Sequence, residues 1–236
     1  MKTNKSAVVV LSGGQDSVTC LGLALAQYSN VHAIAFDYGQ RHRVELECAA
    51  SVCQRNEVPI QIVEIPMLSK LVTSALTGEG DVSAKHAYKP GLPASFVPAR
   101  NALFLVLAHA YAQEHKCDTI ITGVCQTDFS GYPDCRDHFV RAMALALNFG
   151  YETDISIRTP LMHLDKASTF ALANEVVFLG EVIHGSHTCY NGDHATLHEW
   201  GYGCGECPAC KLRAAGFERY CEGDFNRDLV DQAVAG

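Results

Sequence analysis

The six residues Ser12-Gly13-Gly14-Gln15-Asp16-Ser17 follow directly on the apolar run Val8-Val9-Val10-Leu11. No other stretch constrains this chain as strongly. A short apolar run that ends in small residues reads as a buried strand handing over to a helix. Val18, Leu21, Leu23 and Leu25 continue at helical spacing. Two glycines let the backbone bend and approach a ligand closely, and the hydroxyls of Ser12 and Ser17 add donors. Backbone N–H groups and the positive end of a helix then converge on one spot, which is how phosphate is bound. The Walker loop is excluded, because it needs a wider glycine spacing and a lysine before Ser/Thr. The plain alternative is a glycine turn that only starts a helix.

Strand-like runs alternate with helix-like ones along the chain. The strands expected are 7–11, 31–36, 59–65 and 118–124. The helices expected are 16–28, 43–55, 101–114, 137–147 and 166–179. This alternation predicts an α/β fold with a mostly parallel sheet and helices on both faces. Ligands on such sheets sit beyond the carboxyl ends of the strands. Asp37-Tyr38-Gly39-Gln40 and the stretch 123–136 are therefore expected beside the Ser12–Ser17 loop. Residues 77–98, rich in glycine and proline, read as a long surface loop and a candidate lid. Domain boundaries are expected at 1–184 and 185–236, because Cys, His and Gly dominate after Gly185.

With 48% hydrophobic and 19% charged residues in 236, the chain has an ordinary globular composition. No apolar run reaches membrane-spanning length, and Ser6 to Leu11 is too short for a signal-peptide core. A cytoplasmic protein is expected. The formal net charge of −8 leaves no whole-surface basic footprint for nucleic acid. A local cluster of donors can still bind an anion.

Of eleven cysteines, Cys20, Cys48, Cys53, Cys117, Cys125, Cys135 and Cys221 are scattered, as expected of reduced thiols. The other four are clustered. Cys204, Cys207 and Cys210 stand at three-residue spacing, with Cys189 upstream and fourteen residues between it and Cys204. Four thiolates make a closed tetrahedral site suited to structural zinc. Three alternatives stay open: an iron–sulfur cluster, a histidine among His184, His187, His194 and His198 in place of Cys189, or thiols without metal.

Further polar residues could carry chemistry. Asp128 and Asp134 could hold Mg²⁺ or bond a purine edge, and Phe129 and Tyr132 could stack on a base. Arg136 could pair with a carboxylate or phosphate, although the same stretch could be only a capped loop before a helix. Asn101 is a plausible N-cap, and Arg100 beside it could reach a phosphate. Lys166 could neutralise phosphate charge or be a solvated first-turn lysine. His42 could act as an acid or base, although most lone histidines do not.

The Ser-Gly-Gly-x-Asp-Ser loop after a first strand resembles the pyrophosphatase loop of the ATP-pyrophosphatase superfamily. In order come 12–17, 36–42, 96–101, 123–136, 159–161 and the cysteine cluster. That order resembles the 7-cyano-7-deazaguanine synthase family of the queuosine precursor pathway almost end to end. The run from Thr127 to Arg136 is its most discriminating part. Two departures are visible: 193–202 looks inserted, and Ala99 stands where glycine is expected.

The resemblance implies a Rossmann-like PP-loop fold that binds an adenine nucleotide, with a small C-terminal zinc module. It implies adenylation of 7-carboxy-7-deazaguanine by ATP with Mg²⁺, amidation by ammonium, and dehydration to the nitrile. Ser12, Asp16, Ser17 and Lys166 are then expected in catalysis. Leu11, Ser12, Gly13, Gly14, Gln15, Asp16, Ser17, Asp37, Tyr38, Arg100 and Gly123 are expected around the nucleotide. Asp128, Phe129, Tyr132, Asp134 and Arg136 are expected around the deazapurine, and Cys189, Cys204, Cys207 and Cys210 around Zn²⁺. A homodimer is implied, with small-molecule substrates and no nucleic-acid or membrane partner. The chain length leaves no room for a glutaminase domain, which agrees with free ammonium as donor. Two rivals remain: a tRNA thiolase, which would need a basic RNA-facing surface, and a zinc-ribbon binding module without turnover.

Overall fold

The computed structural model describes residues 2–40, 42–72, 74, 92–126 and 132–236. A parallel sheet is built from β1 (Thr3–Val10), β2 (Tyr28–Asp37), β3 (Ile60–Glu64), β4 (Thr119–Thr122) and β5 (Ser156–Arg158). Its order is β3-β2-β1-β4-β5. Every neighbouring pair is parallel. Strand order reverses at β1, so the crevice between the ends of β1 and β4 is the expected ligand position.

Helices cover both faces. Alternate residues of β1 face opposite ways. Val9 packs with Leu21, Phe170 and Val182 on one side. Val8 packs with Ile34, Ala108 and Ile120 on the other. Because the middle of β1 is buried on both faces, it reads as a continuous apolar run rather than an alternating one.

The first face carries α1 (Gln15–Gln27), α2 (Val44–Arg55), α6 (Lys166–Glu175), α7 (Leu179–Gly185), α8 (Pro208–Cys221) and α9 (Arg227–Ala235). The second face carries α4 (Arg100–Glu114) and α5 (Asp137–Tyr151), and the short α3 (Pro66–Leu71) follows β3. Near the C-terminus, β6 (Leu197–His198) and β7 (Gly201–Tyr202) form a small antiparallel hairpin. Among the described residues, no helix is long and apolar enough to cross a membrane.

The alternation and four of the five parallel strands stand as expected. Four details differ. The short edge strand β5 was not anticipated. The helix expected over 166–179 breaks in two, because Val177 takes φ +58° after α6. Helices α8 and α9 lie within the stretch marked only as a small module. Asn101 is not an N-cap: Ala99 holds that position at φ +63°, and α4 begins at Arg100. Most of the expected 77–98 loop lies outside the described residues. Cys20, Cys48, Cys53, Cys117, Cys125 and Cys135 are buried free thiols, and Cys221 is exposed.

Candidate active site

The loop leaves β1 at Leu11 and enters α1 at Gln15. Gly13 has φ +89°, and a Cβ there would stand 1.9 Å from the carbonyl oxygen of Glu45. Only glycine lets the loop lie this close to α2. The Ser17 hydroxyl is its hub. Ser17 Oγ accepts the N–H groups of Ser12 at 3.2 Å and Gly13 at 3.1 Å. The same hydroxyl donates to the Gly14 carbonyl at 3.0 Å. Gly14 N–H donates to Ser12 Oγ at 3.3 Å, and Gln15 N–H to Thr188 Oγ1 at 3.4 Å. The amides from Ser12 to Gln15 thus all end on hydroxyl oxygens.

Lys166 opens α6, where Asp165 caps the helix by accepting the Ser168 N–H at 2.8 Å. Its Nζ donates to Asp16 Oδ1 at 2.8 Å and Oδ2 at 2.6 Å. The Lys166 side chain is only 9% exposed, so it is not a solvated surface cation.

A cavity of about 320 Å³ opens at the β1–β4 crevice. Ser12, Gly14, Asp16, Tyr38, Arg100 and Gly123 line it, as do Leu11, Gln15, Ser17 and Tyr132. A Cβ on Gly123 would come within 3.0 Å of the Asp16 backbone, so the end of β4 lies against the loop. Arg100 sits between two rings, 5.9 Å from the centroid of Tyr38 and 5.8 Å from that of Tyr132. Burial works against its charge, but Tyr38, Tyr132 and Asp134 around it hold its pKa above the ordinary value.

Other expected residues stand elsewhere. Asp37 is ion-paired to Arg43 and accepts the Gly39 N–H at 3.2 Å. Asp134 lies buried behind the cavity wall, accepting the Asn101 N–H at 3.3 Å on Oδ2. Burial raises its pKa, with Arg100 pulling the other way. Asn101 Nδ2 bonds the Asp134 carbonyl and Cys135 Sγ, each at 3.3 Å. Arg136 is exposed at the start of α5 and is not on the cavity wall. Asp128 and Phe129 lie outside the described residues.

Several residues on the wall or behind the loop were missed. Glu45 and Tyr190 line the cavity. The buried His187 donates its N–H to the Gly13 carbonyl at 2.9 Å. Arg213 is fully buried. It donates to Trp200 O at 2.8 Å, Val182 O at 2.7 Å and Thr188 Oγ1 at 3.1 Å. Burial lowers its pKa to about 10, with the charge of Asp16 working the other way, so it remains a cation. Thr188 therefore relays Arg213 to the Gln15 amide. The signal for Glu45 was topological: first-turn residues of helices that follow neighbouring strands face one crevice.

The Sγ atoms of Cys189, Cys204, Cys207 and Cys210 lie within 4.8 Å of one another. Cys204 and Cys210 are 3.9 Å apart. Metal–sulfur bonds of about 2.3 Å at tetrahedral angles put the sulfurs about 3.8 Å apart, so the cluster fits one zinc ion. Burial works to raise the Cys204 thiol, but the N–H groups of Cys207 and Glu206 bring it down to about 6. Cys207 Sγ also caps α8, accepting the Cys210 N–H at 3.4 Å. Three of the four nearby histidines are engaged elsewhere. His187 Nδ1 meets His194 Nδ1 at 3.1 Å, and His198 Nε2 meets Gly203 O at 2.9 Å.

Residues 6–221 match the family model described as "Queuosine biosynthesis protein QueC". The 7-cyano-7-deazaguanine synthase of Wolinella succinogenes is 51% identical over 220 residues, covering 92% of this chain and 94% of its own length. That of Alkalilimnicola ehrlichii is 47% identical over 231 residues, covering 92% and 96%. That of Polaromonas naphthalenivorans is 47% identical over 234 residues, covering 94% and 97%. Among solved structures, a 4-thiouridine synthetase–RNA complex with bound ATP aligns with a TM-score of 0.51 at 16% identity, over 98% of this chain and 54% of that one. This last likeness bears on the fold alone. With the family model matching nearly the whole chain and relatives of about half identity spanning it, the chain belongs to the QueC family of queuosine-biosynthesis proteins, the 7-cyano-7-deazaguanine synthases.

Proposed function

We propose that the chain converts 7-carboxy-7-deazaguanine and ammonium to 7-cyano-7-deazaguanine at the expense of ATP, in the cavity at the β1–β4 crevice. A carboxylate is a poor electrophile, because its leaving group would be oxide. Its oxygen attacks the α-phosphorus of ATP, the bond to pyrophosphate breaks, and a mixed anhydride results. Nitrogen attack then expels AMP and gives the amide. A second adenylation, now on the amide oxygen, lets that oxygen leave and forms the nitrile. Two ATP are consumed per nitrile.

The arrangement of Lys166 on Asp16 beside the loop amides carries this reading. The amides of Gly13 to Ser17 would take the phosphate oxygens, those of Gly13, Gly14 and Gln15 in place of their present hydroxyl acceptors, and Lys166 would offset the charge that develops. Tyr38, Arg100 and Gly123 would complete the nucleotide side. Tyr132, and behind it Asp134, would meet the deazapurine. Mg²⁺ would supply further charge neutralisation at the phosphates.

The four cysteines would hold zinc as a structural ion in a 185–236 module packed on a 1–184 nucleotide-binding unit. We also read the protein as a cytoplasmic homodimer acting on small molecules and not on nucleic acid. The net charge of −8 supports the last point. Mass spectrometry of the protein with 7-carboxy-7-deazaguanine, ATP, Mg²⁺ and ammonium tests the reading. A nitrile with AMP and pyrophosphate is expected. AMP without nitrile would overturn the substrate assignment, and a tRNA gel shift would then test the thiolase.

A further inference from the structure

The reaction proposed above leaves one step without a residue. Ammonium has no lone pair and must lose a proton before it can attack. We propose that Glu45 is the group that accepts this proton, an assignment that rests on that reaction. The N–H electrons stay on nitrogen as the attacking lone pair, and the proton moves to a Glu45 carboxylate oxygen. Nitrogen bonds to the carbonyl carbon of the mixed anhydride, and the carbon–oxygen bond breaks with its electrons on the phosphate of AMP. A second proton passes from nitrogen to the departing AMP phosphate as the amide forms, and Glu45 returns its own to water.

The geometry singles Glu45 out. It sits in the first turn of α2 and lines the same cavity as Ser12, Asp16 and Arg100. Its carbonyl is the atom against which Gly13 packs, so its position is tied to the loop. Among the described residues no hydrogen bond or ion pair engages its carboxylate. Asp16 is committed to Lys166.

The groups whose charges couple to Glu45 are Arg100 on α4, Tyr38 at the end of β2, Tyr190 and, on its own helix, Cys48. Burial raises both tyrosines, and it pushes Cys48 up to about 11, so none of these three is a base at neutral pH. Burial also pushes Glu45 up to about 7, with Arg100 pulling the other way. That places a proton acceptor near working pH, where it is most effective. His42, also on the wall, is the competing base.

The test compares ammonium with hydroxylamine, a nucleophile already largely neutral at pH 7, as the amine for the adenylated carboxylate. In Glu45→Gln the ratio of ammonium to hydroxylamine rates should fall about 100-fold at pH 7. The deficit should shrink as pH rises and free ammonia accumulates. Glu45→Asp, which keeps a carboxylate, should recover part of the ratio. The wild-type ammonium rate should climb with pH through about 7, as Glu45 loses its proton. An unchanged ratio in Glu45→Gln would overturn the assignment, as would an equal loss with both amines. A selective ammonium defect in His42→Gln instead would also overturn it. Pyrophosphate release from ATP and the carboxylate without any amine reports the underlying reaction separately. Its absence in wild type would sink that reading and Glu45 with it.

Discussion

Lys166 Nζ holds both carboxylate oxygens of Asp16, at 2.8 and 2.6 Å, across 150 residues of chain. Neither residue is conspicuous alone: one is the acidic member of a glycine loop, the other a first-turn lysine. Together they put a fixed cation beside the loop amides, with the carboxylate setting its position.

Asp16→Ala should abolish adenylation while the sheet still forms. Loss of the oriented cation should lower pyrophosphate release by roughly 10²–10³-fold. Lys166, nearly buried, loses its carboxylate at a stability cost of up to ~3 kcal/mol. Release assays alongside circular dichroism check this, and turnover near wild type would remove the pair from the mechanism.

Gly13→Ala and Gly14→Ala should part company. At Gly13 the new methyl meets the Glu45 carbonyl at 1.9 Å, with φ +89°. At Gly14 the nearest atom is 3.5 Å away and φ is −78°. Gly13→Ala should lower the melting temperature by several degrees and remove turnover, whereas Gly14→Ala should melt within about 1 °C of wild type. Equal melting temperatures would contradict the loop geometry.

Ala99→Gly should stabilise the protein. Ala99 caps α4 at φ +63°, where a Cβ is strained and glycine is not. After the entropy cost of glycine, about 0.5–1 kcal/mol remains, or roughly 2 °C in Tm. A calorimetric scan that shows no rise would refute the strain.

Cys207→Ser separates metal binding from helix capping. Serine caps a helix N-terminus well but is a poor zinc ligand. Purified wild type should carry about one zinc per chain, and the variant little, with a large drop in Tm and soluble yield. Unchanged metal content in a stable variant would rule out the four-thiolate site.

The sequence showed the sheet wherever strands were long and apolar. Three-residue β5 carries no pattern of its own and exists by pairing with β4. The break at Val177 was hidden, because valine in a left-handed turn gives no signal that glycine would have given. The loop and the cysteines were legible because their chemistry is local. Glu45, His187 and Arg213 were not, since each reaches the site from a different part of the fold. Lys166 stood between: its type fitted, but only packing removes it from water.

The contacts of Gly13 with His187, and of Gln15 with Thr188, span 173 to 174 positions of chain. Arg213 stands further on still, bracing Thr188. A ribosome therefore releases the loop long before its supports. The first strand and helix emerge early, yet they wait for nearly the whole polypeptide before their amides are fixed. Catalytic competence should then be among the last properties a newly made chain acquires, and a nonsense change shortly before Arg213 should leave a product with its loop sequence intact and no ATP turnover.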